Sequence, residues 1–355
     1  MFDWLRFGCG LLGQSFLSFL FCGSLLSAQK IETPVQSWTL STGSVIAYRH
    51  VAAILPARNV PIVFLHGGPG AFIVDHESTS EAFFQALANE HFDVYLYDQV
   101  GSGRSARLAD PGQYSVDRAV ADLEAIRQLL HADRLILIGD SWGATLAASY
   151  MAEHPGHCAK VVFTSPGAIE NSAPAGDKVN ENSATAREVA IWTRDFNSRY
   201  RRALELVVRD PMAAYSLLPD NVADAEFDVL LRRLLPTLLC NRPAPAVETV
   251  RGMGWWVNEM ISHDLAVRDQ HTAARLRHDH TPALILRGGC DYMRWEVARF
   301  YRTTLPNSTL LHVPKAGHWM VYDQPEVFTS AIRAFLLDRP LPLAPYTSDS
   351  APPQD

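Results

Sequence analysis

The chain has no run of basic residues and no face on which Lys and Arg gather. Its formal net charge is −7, so it lacks the electrostatic footprint of a nucleic-acid binder. No cluster of His, Cys, Asp and Glu has metal-ligand spacing, and no metal is expected. There is no internal repeat, which removes solenoids and propellers. The glycine-rich loops lack the Lys-Ser/Thr of a phosphate loop, and Gly101-Ser102-Gly103 lacks a dinucleotide spacing. Cysteines are few. Cys9 and Cys22 lie in an apolar N-terminal stretch. Cys158, Cys240 and Cys290 remain, an odd number that permits at most one bridge and does not say whether it forms.

Charge is also missing from Phe7 to Leu26. That stretch is long for the core of an export signal and near the minimum for a membrane span. Residues 1–28 are therefore expected to be a signal peptide, cleaved after Ser24 or Ala28, or an uncleaved anchor. The protein would then be exported (periplasmic or extracellular) or held at a membrane. What remains of the 355 residues, 48% of them hydrophobic and 19% charged, is enough for a sizeable core without metal or disulfide support.

Trp38–Leu40 and Val45–Arg49 flank Ser41-Thr42-Gly43-Ser44 and predict a hairpin. Six apolar runs follow: 62–65, 94–97, 135–138, 161–163, 283–286 and 310–313. Runs apolar on both faces suit central parallel strands covered by helices. Between the second and third, Val116, Val120, Leu123, Ile126 and Leu130 recur at helical spacing behind Ser115, a suitable N-cap. The fold class expected is α/β, an open, mostly parallel sheet with right-handed crossovers. The alternation stops after Pro166. Residues 166–275 read as a helical lid inserted after the sixth strand, between two core segments, 31–165 and 276–339. Residues 340–355, rich in Pro and polar residues, read as a flexible tail.

Leu135-Ile136-Leu137-Ile138 runs directly into Gly139-Asp140-Ser141-Trp142-Gly143 and an alanine-rich helix. A serine on a sharp strand-to-helix turn needs neighbours without side chains, and the turn lifts its hydroxyl above the sheet. Ser141 is the candidate nucleophile. A hydroxyl needs a base to take its proton, and in a sheet of this kind base and acid come from later strand ends, in the order Ser, acid, His. Asp291 lies just past the run ending Leu286-Arg287-Gly288-Gly289-Cys290, and His318 just past Val313-Pro314-Lys315-Ala316-Gly317. These residue types predict His318 as general base and then acid, oriented by Asp291. The oxyanion of such a reaction needs two N–H donors. The backbone of Trp142 supplies one. The loop His66-Gly67-Gly68-Pro69-Gly70 supplies the other, expected at Gly68, with His66 propping the loop.

Three blocks together resemble the proline iminopeptidase family of α/β-hydrolase serine peptidases: Phe64–Gly70, Asp98–Ser105 and Gly139–Leu146, with Glu153-His154-Pro155 beyond. The Asp291 and Gly317-His318 blocks continue the pattern. The resemblance covers roughly residues 45–165 and 280–335. It implies an α/β-hydrolase fold that removes N-terminal residues, often proline, from short peptides without a cofactor. The family usually has Arg where this chain has Val100, and Gly where it has Asp140. An aminopeptidase must also hold a free α-ammonium, which calls for a lid carboxylate. Glu259 is the first candidate, with Trp255 beside it as a substrate-binding residue and Asp264 and Glu296 behind it.

Two other functions fit the same residues. One is an esterase or amidase on a small hydrophobic substrate, favoured by Trp255, Trp256, Trp295 and Trp319. The other is a hydrolase-fold protein that binds ligands without turnover. The expected partner is a small peptide or small molecule. Nothing in the sequence indicates an oligomeric state.

Overall fold

The computed structural model describes residues 34–75, 79–170, 183–195, 198–207, 209–240, 251–268 and 271–352. Residues 1–33, and with them the expected signal or anchor, lie outside the described residues. No helix among the described residues is long and apolar enough to cross a membrane.

Eight strands form one sheet: β1 (Gln36–Thr39), β2 (Val45–Val51), β3 (Ile62–Leu65), β4 (Val94–Tyr97), β5 (Leu135–Asp140), β6 (Cys158–Thr164), β7 (Ala283–Gly288) and β8 (Ser308–Val313). Their spatial order is β1-β2-β4-β3-β5-β6-β7-β8. β1 and β2 are the predicted hairpin, and β2 joins β4 antiparallel. Every later pairing is parallel. All six apolar runs are strands. β5, β6 and β7 extend beyond their runs because the ladder carries polar residues such as Asp140, Thr164 and Arg287 into register.

The helices are α1 (Thr79–Ala88), α2 (Val116–Leu129), α3 (Trp142–Glu153), α4 (Ala184–Asp195), α5 (Ser198–Leu206), α6 (Pro211–Leu217), α7 (Asp220–Leu234), α8 (Trp255–Val267), α9 (Thr272–Leu276), α10 (Trp295–Thr304), α11 (Met320–Asp323) and α12 (Pro325–Leu336). The Ser115 hydroxyl accepts from the Arg118 N–H and caps α2 as expected. Successive strand residues point to opposite faces, and two cores follow. Val63, Leu65, Leu137 and Phe163 pack with α2 and α3. Ile62, Phe64, Ile136 and Ile138 pack with α1 and α12. Each fully buried Leu, Ile or Phe contributes about 1.5–3 kcal/mol, so both faces of the sheet are strongly held.

α4 to α9 all lie between β6 and β7, where strand alternation lapses in the sequence. The ends of β5, β7 and β8 open toward this insertion, which places the residues following them at the C-terminal edge of a parallel sheet. Ligands of open α/β sheets bind at that edge.

The described part of the segment expected to be a loose tail, residues 340–352, is instead docked. The Tyr346 N–H donates to the Leu310 carbonyl at 2.7 Å. The Arg302 guanidinium donates to the Tyr346 and Ser348 carbonyls at 3.0 and 2.9 Å and pairs with Asp349. The Tyr346 ring meets Trp295 edge-on at 5.2 Å. Composition predicted looseness because the acceptors are backbone carbonyls, which leave no mark in a sequence.

Candidate active site

Ser141 sits at φ 53°, ψ −114° between β5 and α3, the strained corner the sequence predicts. Its N–H donates to the Thr164 carbonyl at 3.0 Å, and its carbonyl accepts from Gly167 N at 2.9 Å. The flanking glycines are required by contact. A Cβ on Gly139 would lie 2.4 Å from the Gly143 carbonyl oxygen, and one on Gly143 would lie 1.9 Å from the Leu65 carbonyl oxygen. The turn therefore seats Ser141 on the loop after β3, where a Cβ on Gly67 would come within 3.1 Å of the Ser141 Cβ.

His318 follows β8 and Asp291 follows β7. The His318 Nδ1–H donates to Asp291 Oδ1 at 2.8 Å, with both side chains buried. Asp291 Oδ1 also accepts from the Met293 N–H at 3.0 Å. Burial pushes the imidazole down, but the charge and hydrogen bond of Asp291, with Asp140 behind it, more than offset this, and His318 lies above its usual range. Burial likewise opposes ionisation of Asp291, and His318 outweighs it, so the carboxylate stays below its usual range.

A cavity of about 520 Å³ opens onto these groups. Gly68, Asp140, Ser141, Glu259, Tyr292 and His318 all face it among the described residues. Three of the predicted site residues, Ser141, His318 and Glu259, thus share one space, with Asp291 hydrogen-bonded to His318. Gly68 lines the same cavity. Trp142 is set by position, its N–H being the first of α3 and its indole N–H donating to Gln99 Oε1 at 2.8 Å.

The loop after β3 is propped by His66, as expected. Gln99 N–H donates to His66 Nε2 at 2.9 Å, so Nε2 is the acceptor and Nδ1–H donates to the Gly67 carbonyl at 2.9 Å. Burial lowers the His66 pKa to about 4, and the ring stays neutral in this role. Asp98 orders the same region, accepting from the Ile73, Val74 and Arg104 N–H groups.

α8 carries Glu259, and this helix is fixed to the loop after β3. Gly254 N–H donates to the Gly70 carbonyl at 2.7 Å, and a Cβ on Gly70 would lie 2.2 Å from the Gly254 oxygen. The Asn258 amide donates to the Pro69 carbonyl at 3.0 Å. Asp224 and Asp228 on α7 accept from the N–H groups of Trp255 and Met253 at 3.0 Å each, holding the start of α8. Glu259 itself faces the cavity with no hydrogen-bond partner among the described residues, and desolvation there pushes its pKa up to about 7.

Trp255 does not take the expected substrate-binding place. It is 0% exposed and meets Trp256 edge-on at 4.7 Å. The packing of α7 on the first turn of α8 turns it into the core. Asp264 accepts from the Val116 N–H at 2.8 Å and caps α2, while Glu296 pairs with Arg294. Neither lines the cavity. Trp319 does.

Asp140 and Tyr292 are cavity residues that the sequence did not assign. The Asp140 carboxylate accepts from Thr164 Oγ1 at 2.7 Å, and burial pushes its pKa up to about 6. Position could have found Tyr292, since it directly follows the predicted acid. One group with metal-ligand chemistry lies elsewhere: Glu124, His154 and His157 have ligand atoms within 4.8 Å of one another. The Glu124 carboxylate, however, is already engaged by Arg127 at 2.6 and 3.0 Å and by Tyr150 at 2.8 Å. A cation there would face the Arg127 guanidinium.

Cys240 and Cys290 form a disulfide, and Cys158 is a buried free thiol. The bridge ties the end of the segment after α7 to the residue preceding Asp291. Replacing both cysteines by serine is expected to destabilise the protein by about 3–4 kcal/mol, as for a closed loop of this length with its ends 50 residues apart. Urea unfolding of the variant against the oxidised parent measures it. A change below about 1 kcal/mol would show that the insertion holds that loop unaided.

Residues 60–325 match the alpha/beta hydrolase fold family. The proline iminopeptidase of Heyndrickxia coagulans is 28% identical over 290 residues, covering 78% of this chain and 90% of that protein. Among solved structures, an esterase from Exiguobacterium antarcticum superposes with a TM-score of 0.60 at 17% identity, over 85% of this chain and 99% of its own. The proline iminopeptidase of Mycobacterium smegmatis superposes with a TM-score of 0.53 at 19% identity, over 86% and 98%. With this sheet order, the serine at its strained corner and the matched residues spanning every strand but β1 and β2, the chain belongs to the alpha/beta hydrolase fold family.

Proposed function

We propose that this hydrolase works through an acyl-enzyme formed on Ser141 and removes N-terminal residues from small peptides. Ser141 Oγ attacks the carbonyl while His318 takes its proton, and Asp291 holds the imidazole in the tautomer that can accept it. The N–H groups of Gly68 and Trp142 receive the oxyanion. His318 then protonates the departing amine, and water releases the acyl group by the same steps.

The observation that carries the peptidase reading is Glu259. A half-buried carboxylate with no cationic partner among the described residues, facing the same cavity as Ser141 and His318, is disfavoured until a cation joins it. The α-ammonium of a peptide is such a cation. The similarity to proline iminopeptidases over most of the chain supports the same reading. The apolar part of the lining, with Phe83, Phe84, Trp192, Phe227 and Leu230, favours a second reading, an esterase or amidase on a hydrophobic substrate.

Rates on Pro-β-naphthylamide, its N-blocked analogue and a short-chain p-nitrophenyl ester separate the two. Glu259→Gln is expected to lower kcat/KM for the free-amine substrate by about 100-fold, the loss of one buried charge-assisted contact, and to leave the ester unchanged. Glu259 must be ionised to hold an ammonium, so KM for the free-amine substrate is expected to rise as pH falls through about 7. Glu259→Gln removes that limb. Equal losses on amine and ester substrates would sink the amine-anchor role.

A disulfide beside Asp291 suits an oxidising compartment. Together with the uncharged stretch from Phe7 to Leu26, this supports export or membrane anchoring. Mass spectrometry of the N-terminus of the mature protein tests whether the first 28 residues are removed.

A further inference from the structure

Asp140 ends β5, directly before Ser141, and lines the cavity. Thr164 Oγ1 donates to its Oδ1 at 2.7 Å. Its Oδ2 lies toward the loop after β3: a Cβ on Gly67 would come within 3.4 Å of that oxygen and within 3.1 Å of the Ser141 Cβ. A carboxylate thus stands at the shoulder of the nucleophile. The groups around it do not offset its charge. Among the described residues that line the cavity there is no Lys and no Arg, and the acids are Asp140 and Glu259. The His66 ring is neutral, its Nε2 accepting from the Gln99 N–H, and the His318 imidazole is matched by Asp291.

We propose that Asp140 is a specificity-determining residue, which makes the cavity reject substrates carrying a negative charge close to the bond being cut. The inference rests on the reading of Ser141 as nucleophile. When the α-ammonium of a peptide neutralises Glu259, Asp140 is left as the uncompensated charge of the lining. The α-carboxylate of a free dipeptide follows the scissile carbon by one residue, roughly 4 Å of chain. No cation of the described lining receives it, and taking it out of water beside a second carboxylate is costly. The substrates favoured are neutral or cationic at that distance: peptides with a blocked C-terminus, longer peptides, and uncharged amides or esters.

The charge is fixed in place. Asp140 pairs with Thr164 in the β5–β6 ladder, and the Thr164 hydroxyl holds its side chain, so the acid does not swing away when a substrate enters. Burial raises its pKa to about 6, and it is ionised at pH 8. A substrate carboxylate is present in the ground state and in the transition state alike, so the repulsion is read in kcat/KM. Asp140 also disfavours the oxyanion. That cost falls on every substrate and cancels between two compounds that differ only in charge.

The test uses matched pairs at pH 8: Pro-Gly against Pro-Gly amide, and 4-acetoxybenzoate against 4-acetoxybenzamide. The members of each pair differ by one negative charge. The parent is expected to favour the neutral peptide by about tenfold to thirtyfold in kcat/KM, the repulsion of like charges a few ångströms apart near a protein surface. It should favour the neutral ester by less, because that carboxylate lies a ring's length farther away. Asp140→Asn keeps an acceptor for Thr164 and is expected to bring the peptide ratio to within about threefold of one. Asp140→Glu keeps the charge and is expected to keep the discrimination. Equal rates within the peptide pair in the parent overturn the role of Asp140 without any variant having to fold. A ratio that Asp140→Asn leaves unchanged overturns it as well. If neither peptide is cleaved, the aminopeptidase reading fails alone, and the ester pair then decides the role of Asp140 by the same comparison. A protein that turns over neither pair overturns both.

Discussion

Ser141→Ala is expected to lower kcat by about 10⁵- to 10⁶-fold, the size of loss seen when a serine hydrolase is deprived of its nucleophile. The fold should be untouched. Alanine keeps a Cβ at the same positive φ, so the melting temperature should hold, and binding of a non-cleaved peptide should be retained. Ser141→Gly makes a sharper structural check. It loses the same activity but frees the corner of its Cβ, and a residue held at this φ and ψ carries about 1–3 kcal/mol of strain. Part of that gain is offset by the freedom glycine has in the unfolded chain. A net rise in stability of about 1 kcal/mol is expected by urea unfolding. Turnover within tenfold of the parent in Ser141→Ala would refute the acyl-enzyme. A parent protein that binds peptides and esters but turns over neither would instead establish a ligand-binding protein on a hydrolase fold.

Asp291→Asn should cost about 10⁴-fold in kcat. Asn at 291 can still accept from the Met293 N–H and preserve the turn, so the backbone stays in place. Its amide can also present an N–H to His318 Nδ1, which fixes the proton on the wrong nitrogen and leaves Nε2 unable to take the proton of Ser141. KM should change little, because Asp291 lies behind the imidazole rather than in contact with substrate. A loss of less than tenfold would mean that another carboxylate orients the ring. Asp140 is the group placed to do so, since its charge acts on His318 from the end of β5.

The strands were legible because a buried parallel strand must be apolar on both faces, as Leu135–Ile138 and Ala283–Leu286 are. The site was legible because strand ends in such a sheet point at one edge, and a serine, an aspartate and a histidine each stand just past one. The glycine loop after β3 could be placed for a related reason: its backbone lies against the corner, and a Cβ on Gly67 would come within 3.1 Å of the Ser141 Cβ. What stayed hidden depends on contacts made across the fold. Trp255 reads alike in sequence whether it faces a cavity or a core. The packing of α7, whose Asp224 accepts from the Trp255 N–H, decides it. The pairing of Cys240 with Cys290 follows from where the insertion returns to the sheet, and three cysteines alone cannot announce it. Tyr292 stands beside the predicted acid, yet only the turn at Asp291 directs it into the cavity.

The clasp between α8 and the loops of the sheet bears on how a substrate gets in. α8 is fastened to those loops at three places: Gly254 on Gly70 and Gly252 on Gly103, and Asn258 on Pro69. The first two are backbone bonds at glycines that leave no slack. A helix fastened in this way is held to the sheet, and the carboxylate it carries is held with it at a fixed distance from Ser141. α7 shares that clasp through Asp224 and Asp228, so freedom at the entrance falls to α4, which lines the cavity through Trp192. On the aminopeptidase reading proposed above, such an arrangement would admit substrates of different bulk on that side while the distance from amine to scissile bond stays fixed.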